Sequence, residues 1–164
     1  VHCGLLENLN LPTESYDLAL LIMTVEHVAD PPRLLRDVRS ILRPGGRVRI
    51  VTDNTDSLDF QLFKNRHWGG YHFPRHWNLF NPKTMRRLAE KTKMEVESLS
   101  TQVSPVNWVY SIRNRLTDRA APAWLVERFS LKTPLTLGVF TVFDILNNLA
   151  GRGALLNAVL KRPL

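Results

Sequence analysis

The chain has 164 residues, enough for one domain with a substantial core and too few for two of ordinary size, and its 44% hydrophobic content fits a globular class. Lysine plus arginine (22) exceed aspartate plus glutamate (15), a net charge of +7 that favours anionic partners. A single cysteine, Cys3, excludes an intrachain disulfide framework and a thiolate metal cluster, so a reducing compartment is the default.

In chain order, Val1 is followed by no basic leader and apolar core of the signal-peptide kind, and the start reads as a cut end with neighbouring strands upstream. His2 to Gly4 fit the end of a strand, with Gly4 as a tight exit, and Glu7 to Leu9 fit a helical turn. Leu18 to Val25 is a near-continuous apolar run broken by Thr24, the pattern of a strand buried on both faces of a parallel sheet. Glu26, His27 and Asp30 follow at its carboxyl end, where open α/β sheets place their ligand crevice. Asp30 predicts a helix N-cap, and Pro31 and Pro32 suit the first turn. Leu34, Leu35, Val38, Ile41 and Leu42 recur at helical spacing, Pro44-Gly45-Gly46 turn the chain, and Val48, Ile50 and Val51 begin a second strand. The unit is a right-handed βαβ crossover.

Asp53 to Ser57 form a polar loop on the same ligand side of the sheet. Residues 58–81 are rich in aromatics, contain His67, His72 and His76, and show no clean period, which points to a binding loop or lid. Asn81 and Pro82 open a helix with the apolar stripe Met85, Leu88 and Ala89, and residues 95–101 suggest a strand. Three helical stretches follow, at residues 107–116, 122–129 and 136–150. The last, some 15 residues, is short of the ~20 needed to span a bilayer and reads as a core or interface helix, or as one lying on a membrane surface. Residues 154–160 fit a closing strand.

The run YDLALLIMTVEHVADPPRLLRDVRSILRPGGRVRIVTDN, followed by YHFPRHWNLFNPKTMRRLAEKTKMEVESL, resembles the carboxyl-terminal half of the class I S-adenosylmethionine-dependent methyltransferases. Asp17, Glu26, His27, Pro44, Gly45 and Gly46 stand where that family has them around its fourth and fifth strands, and Pro74, Arg75 and His76 match a loop that covers the acceptor pocket in one subgroup. The resemblance implies an α/β, Rossmann-like methyltransferase fold, incomplete: a mostly parallel sheet flanked by helices, with an additional helical segment near the C-terminus. It divides the chain into a partial domain over 1–104, a helical insertion or cap over 105–153 and a closing strand over 154–164. The family's glycine-rich cofactor turn and ribose-binding acidic residue would lie upstream of Val1, so the chain alone is expected to be inactive.

The resemblance implies S-adenosylmethionine as cofactor, with Gly4, Leu5, Leu6 and Thr24 on the cofactor side, Glu26 and His27 in the catalytic position, and His72, Arg75 and His76 toward the acceptor. His27 is a candidate general base; the other reading is that Glu26 and His27 cap their turn. Metal ligation by His67, His72 and His76 is not expected, because the segment lacks cysteine and any i, i+4 histidine pair. The implied acceptor is a small molecule, sugar-linked or lipid-like, with no nucleic acid, and the location cytoplasmic with peripheral membrane contact through 134–150. The competing function is a non-catalytic basic module using Arg33, Arg36, Arg39 and Arg43 on nucleic acid or an anionic membrane.

Overall fold

A computed structural model describes residue 4, residues 6–72 and residues 74–164. After a 3₁₀ turn at Leu6–Asn8, strand β1 (Tyr16–Ile22) leads through a short turn into α1 (Pro31–Ile41). Helix α1 starts where the sequence places its cap, with an Asp30 carboxylate oxygen accepting from the Arg33 amide at 2.9 Å and the two prolines in the first turn, where no N–H is missed. Strand β2 (Leu42–Asp53) contains the Pro-Gly-Gly turn as an irregularity: Tyr16 pairs with Leu42, but Leu18 already pairs with Arg47. Gly45 there adopts φ +80, which favours glycine.

Helix α2 (Leu58–Phe63), a 3₁₀ turn (Gly69–Tyr71) and α3 (Pro82–Lys91) follow, then β3 (Glu95–Gln102), α4 (Val106–Asp118), α5 (Ala123–Arg128), α6 (Pro134–Leu149) and β4 (Leu155–Lys161). The aperiodic stretch 58–81 therefore hides one short helix, capped by the Ser57 hydroxyl accepting from the Phe60 amide. Helix α3 carries a reciprocal cap between Asn81 and Thr84.

The sheet order is β1-β2-β4-β3. The α/β class holds, and its parallel character is confined to β1 and β2: β4 runs antiparallel to both β2 and β3. The last strand therefore lies inside the sheet, between β2 and β3. One face of the sheet, carrying Val48, Ile50, Leu156, Ala158 and Leu160, packs with Leu35 and Val38 of α1 and Met85, Leu88 and Ala89 of α3 into the main core.

The opposite face corrects the expectation of a first strand buried on both sides. Leu18, Leu20 and Ile22 are 56%, 59% and 50% exposed, because β1 is an edge strand in the described residues and no helix covers that side of it. Along β2 the same face is polar: Arg47 makes a two-pronged ion pair with Glu97, and Arg49 donates to Asn157. A second, aromatic core joins α2, the 3₁₀ turn and α4 through Phe63, Trp68 and Trp108, with Phe140 of α6 at its margin.

Candidate functional site

The carboxyl ends of β1 and β2 meet in a cluster of titratable side chains, of which Glu26 and Asp53 are buried and His27 and His72 exposed. Met23, just past β1, adopts φ +48 while its amide donates to the Val51 carbonyl at 2.8 Å. This left-handed step directs the following turn, closed by the His27 amide on the Thr24 carbonyl, back over the end of β2. Glu26 is thereby buried at 1% exposure, with one carboxylate oxygen accepting from the Thr52 hydroxyl at 2.8 Å. Its other oxygen, Oε1, has no hydrogen-bond partner in the protein and lies 3.8 Å from His27 Nε2.

Two backbone carbonyls fix the histidines. His27 Nδ1 lies 3.0 Å from the Arg75 carbonyl and His76 Nδ1 lies 2.7 Å from the Gly70 carbonyl. A carbonyl only accepts, so each Nδ1 carries the proton and each neutral ring keeps its lone pair on Nε2. The two rings are 4.7 Å apart, and His72 stands 5.0 Å beyond His76.

Asp53, the last residue of β2, completes the cluster. Its Oδ1 accepts from Asn107 of α4 at 2.6 Å, and its Oδ2 lies 3.3 Å from His76 Nδ1 without meeting hydrogen-bond geometry. Burial pushes the Asp53 carboxyl up to about 7; the Asn107 bond opposes this, and the negative field of Glu26 and Asp59 adds to it. Burial holds His76 and His72 below the ordinary histidine range, and for His72 the neighbouring His76, His27 and Arg75 act in the same direction.

A cavity of about 380 Å³ opens on this cluster, lined by Met23, His27, Asp53, His72, Arg75, His76 and Asn107 among others. A second cavity, about 440 Å³, lies on the other side of His27 between Leu6, Val28, Leu34 and Trp77, with Asp30 and Arg33 at its margin. His27 thus stands on the wall between two binding volumes. A third hollow, beside Arg66, Tyr71 and Tyr110, is lined by no carboxylate among the described residues. Met23 and His72, both in the left-handed region, both border the first cavity, and such strain concentrates at functional sites.

Among the residues singled out from sequence, Glu26, His27, His72, Arg75 and His76 come together around the first cavity. Arg75 holds His27 through its backbone carbonyl. Leu6 lines the second cavity, while the Thr24 hydroxyl turns back to the Ile22 carbonyl at 3.0 Å. Gly4 has φ +151, and Leu5 falls outside the described residues. His67 faces elsewhere, pairing with Asp118 at 3.1 Å. Asp53, Asn107 and Met23 were not singled out; the one available signal was the position of Asp53 at the carboxyl end of a strand. Glu26, His27 and His76 each bring one ligand atom within 4.8 Å of the others, a donor set suited to a cation. The basic helix face is not an open array: Arg43 is paired with Asp17, and Arg39 donates to the Lys93 carbonyl.

A family profile described as a methyltransferase domain matches residues 6–99, more than half of the chain. A ubiquinone biosynthesis O-methyltransferase of Cereibacter sphaeroides is 30% identical over 115 residues, 66% of this chain and 47% of that protein. Another protein of that name, from Parvibaculum lavamentivorans, is 44% identical over 52 residues, 32% of this chain and 21% of that protein. The matched region of the first amounts to about half of its length. Among solved structures, a possible histamine N-methyltransferase of Thermotoga maritima aligns with TM-score 0.58 and 18% identity, covering 97% of this chain and 62% of that one. The [4+2]-cyclase SpnF aligns at 0.54 and 15%, covering 99% and 55%. A cyclase and a methyltransferase share this architecture, so the fold alone does not choose the chemistry. The matched region runs from the 3₁₀ turn to β3 and takes in β1, β2 and the Glu26–His27 turn between them, and by it the chain belongs to the methyltransferase domain family.

Proposed function

We propose that the protein transfers a methyl group from S-adenosylmethionine to a hydroxyl-bearing small molecule, with the cofactor on one side of His27 and the acceptor on the other. The observation that carries this reading is the placement of His27 on the wall of both cavities, with its Nε2 lone pair unengaged by the backbone. Support for oxygen as the methylated atom comes from the relatives named as O-methyltransferases.

The residues present suit part of the cofactor. Leu6, Val28, Leu34 and Trp77 offer apolar walls against which a purine ring packs, at the strand end where α/β sheets bind nucleotide-like ligands. When bound, S-adenosylmethionine would supply a methyl group to the acceptor oxygen, with the neutral thioether S-adenosylhomocysteine as the leaving group. His27 Nε2 then takes the acceptor's hydroxyl proton, and the buried Glu26 carboxylate stabilises the imidazolium. Arg75 and Asn78 fix this turn from the loop side: the Arg75 carbonyl orients the His27 ring, and the Asn78 amide donates to the Glu26 carbonyl. His72 and His76 line the acceptor cavity, where an apolar or aromatic acceptor would lie against Met23 and Leu155.

The test is methyl transfer by the full-length protein to a panel of hydroxyl acceptors. His27→Ala should lower kcat by about 10²–10⁴-fold with little change in cofactor affinity by calorimetry. An unchanged kcat removes His27 as base. A second reading is favoured by the unpartnered Glu26 Oε1 facing His27 and His76: a divalent cation there would activate the acceptor oxygen in place of a proton-accepting histidine. Loss of activity on chelation, restored by a divalent metal, selects that reading.

A further inference from the structure

Helix α6 turns Asp144, flanked by Phe140 and Asn148, inward and an apolar side outward. Asp144 is its one buried residue, accepting from the Ser104 amide at 2.7 Å, the Trp108 indole at 3.1 Å and the Ala154 amide at 3.4 Å. At 3.6 residues per turn, Leu135, Val139, Val142, Leu146 and Leu149 fall within about 40° of the line opposite Asp144. These five side chains are 56–80% exposed. A helix serving only its own fold shows the reverse arrangement.

We propose that this face lies on the surface of an anionic lipid bilayer. The helix is 16 residues long, and no described helix is long and apolar enough to cross a membrane, so it would lie in the interface plane. Its outer face is one helix wide, about 24 Å by 10 Å in projection, a shape suited to lying in an interface plane rather than to the broad patch of a stable dimer. The surrounding charge points to anionic lipid. Arg128 and Lys132 precede the helix and Arg152 follows it, all exposed, and none has an ion-pair partner among the described residues. From residue 119 to 153 the one exposed carboxylate is Glu127. Trp124 of α5, 65% exposed, is the residue type that settles at the headgroup level. The inference stands on the helical layer and does not depend on the chemistry assigned to His27.

The experiment is co-sedimentation of the protein with phosphatidylcholine vesicles containing about one third phosphatidylglycerol, with pure phosphatidylcholine as comparison. Partitioning should be at least about tenfold stronger on the anionic vesicles. Replacing Arg128, Lys132 and Arg152 together by glutamine should weaken it by roughly a hundredfold. The double substitution Val142→Asp with Leu146→Asp, at exposed sites that leave the circular dichroism unchanged, should weaken it at least about tenfold. Failure of the protein to sediment with either vesicle overturns the proposal. So does a concentration-dependent dimer in analytical ultracentrifugation that the Val142→Asp, Leu146→Asp pair abolishes.

Discussion

Asp53→Asn gives the sharpest test of the electrostatics at the cluster. Burial raises the Asp53 carboxyl from 3.8 to about 7, so across that interval the folded protein holds a proton that the unfolded chain releases. The sign follows directly. The contribution of Asp53 to stability is fully present below the unfolded value, declines as pH rises through the interval, and is lost above about 7, where a buried charge remains. A shift of this size corresponds to roughly 4 kcal/mol in all, of which roughly 3 kcal/mol falls between pH 5 and pH 8. Asparagine keeps the oxygen that accepts from Asn107 and cannot titrate. Its amide nitrogen would face His76 Nδ1, 3.3 Å from Asp53 Oδ2 in the native protein, which displaces the whole curve without changing its slope. Urea unfolding at pH 5, 6, 7 and 8 should therefore show the variant gaining roughly 3 kcal/mol on the native protein across the series. Two curves that run parallel would refute the assignment, because Asp53 would then carry the same charge in both states throughout.

Two further substitutions probe the supports of the site. Gly69→Ala would place a Cβ 2.6 Å from the Asn107 carbonyl oxygen and 2.7 Å from Tyr110 Cβ, forcing the 3₁₀ turn off α4; a loss of about 2 kcal/mol in thermal unfolding is expected. Asp144→Ala strands the Ser104 amide, the Trp108 indole N–H and the Ala154 amide without their shared acceptor, and should lower the urea midpoint by the equivalent of about 3 kcal/mol.

The β1–α1–β2 unit was legible because its signals are local. Asp30, the paired prolines and the Pro-Gly-Gly turn act within a few residues of where they stand, and the structure uses each of them. Edge placement was not legible: Leu18 to Val25 reads the same whether one face or both are covered, since exposure depends on what packs from elsewhere in the chain. The site was half visible. Glu26 and His27 announce themselves as polar residues directly after an apolar strand. Asp53 gains its role from Asn107, 54 positions away, and from a histidine in an aperiodic loop, neither of which any spacing rule connects. Helix α6 was ambiguous for a related reason. Its composition suits a core, and the inward bonds of Asp144 and Asn148 settle which side faces out.

The few inward anchors of α6 also bear on the motions of the molecule. Strands β2 and β4 are hydrogen-bonded on both edges within the sheet, so their amides open only when the sheet itself comes apart. Helix α6 is tied to the rest of the fold through Asp144, through Asn148, whose Oδ1 accepts from the Thr101 hydroxyl of β3 at 2.7 Å, and through a margin of aromatic packing, so it has fewer ties to lose than the strands. Amide hydrogen exchange is therefore expected to be faster in α6 than in β2 and β4.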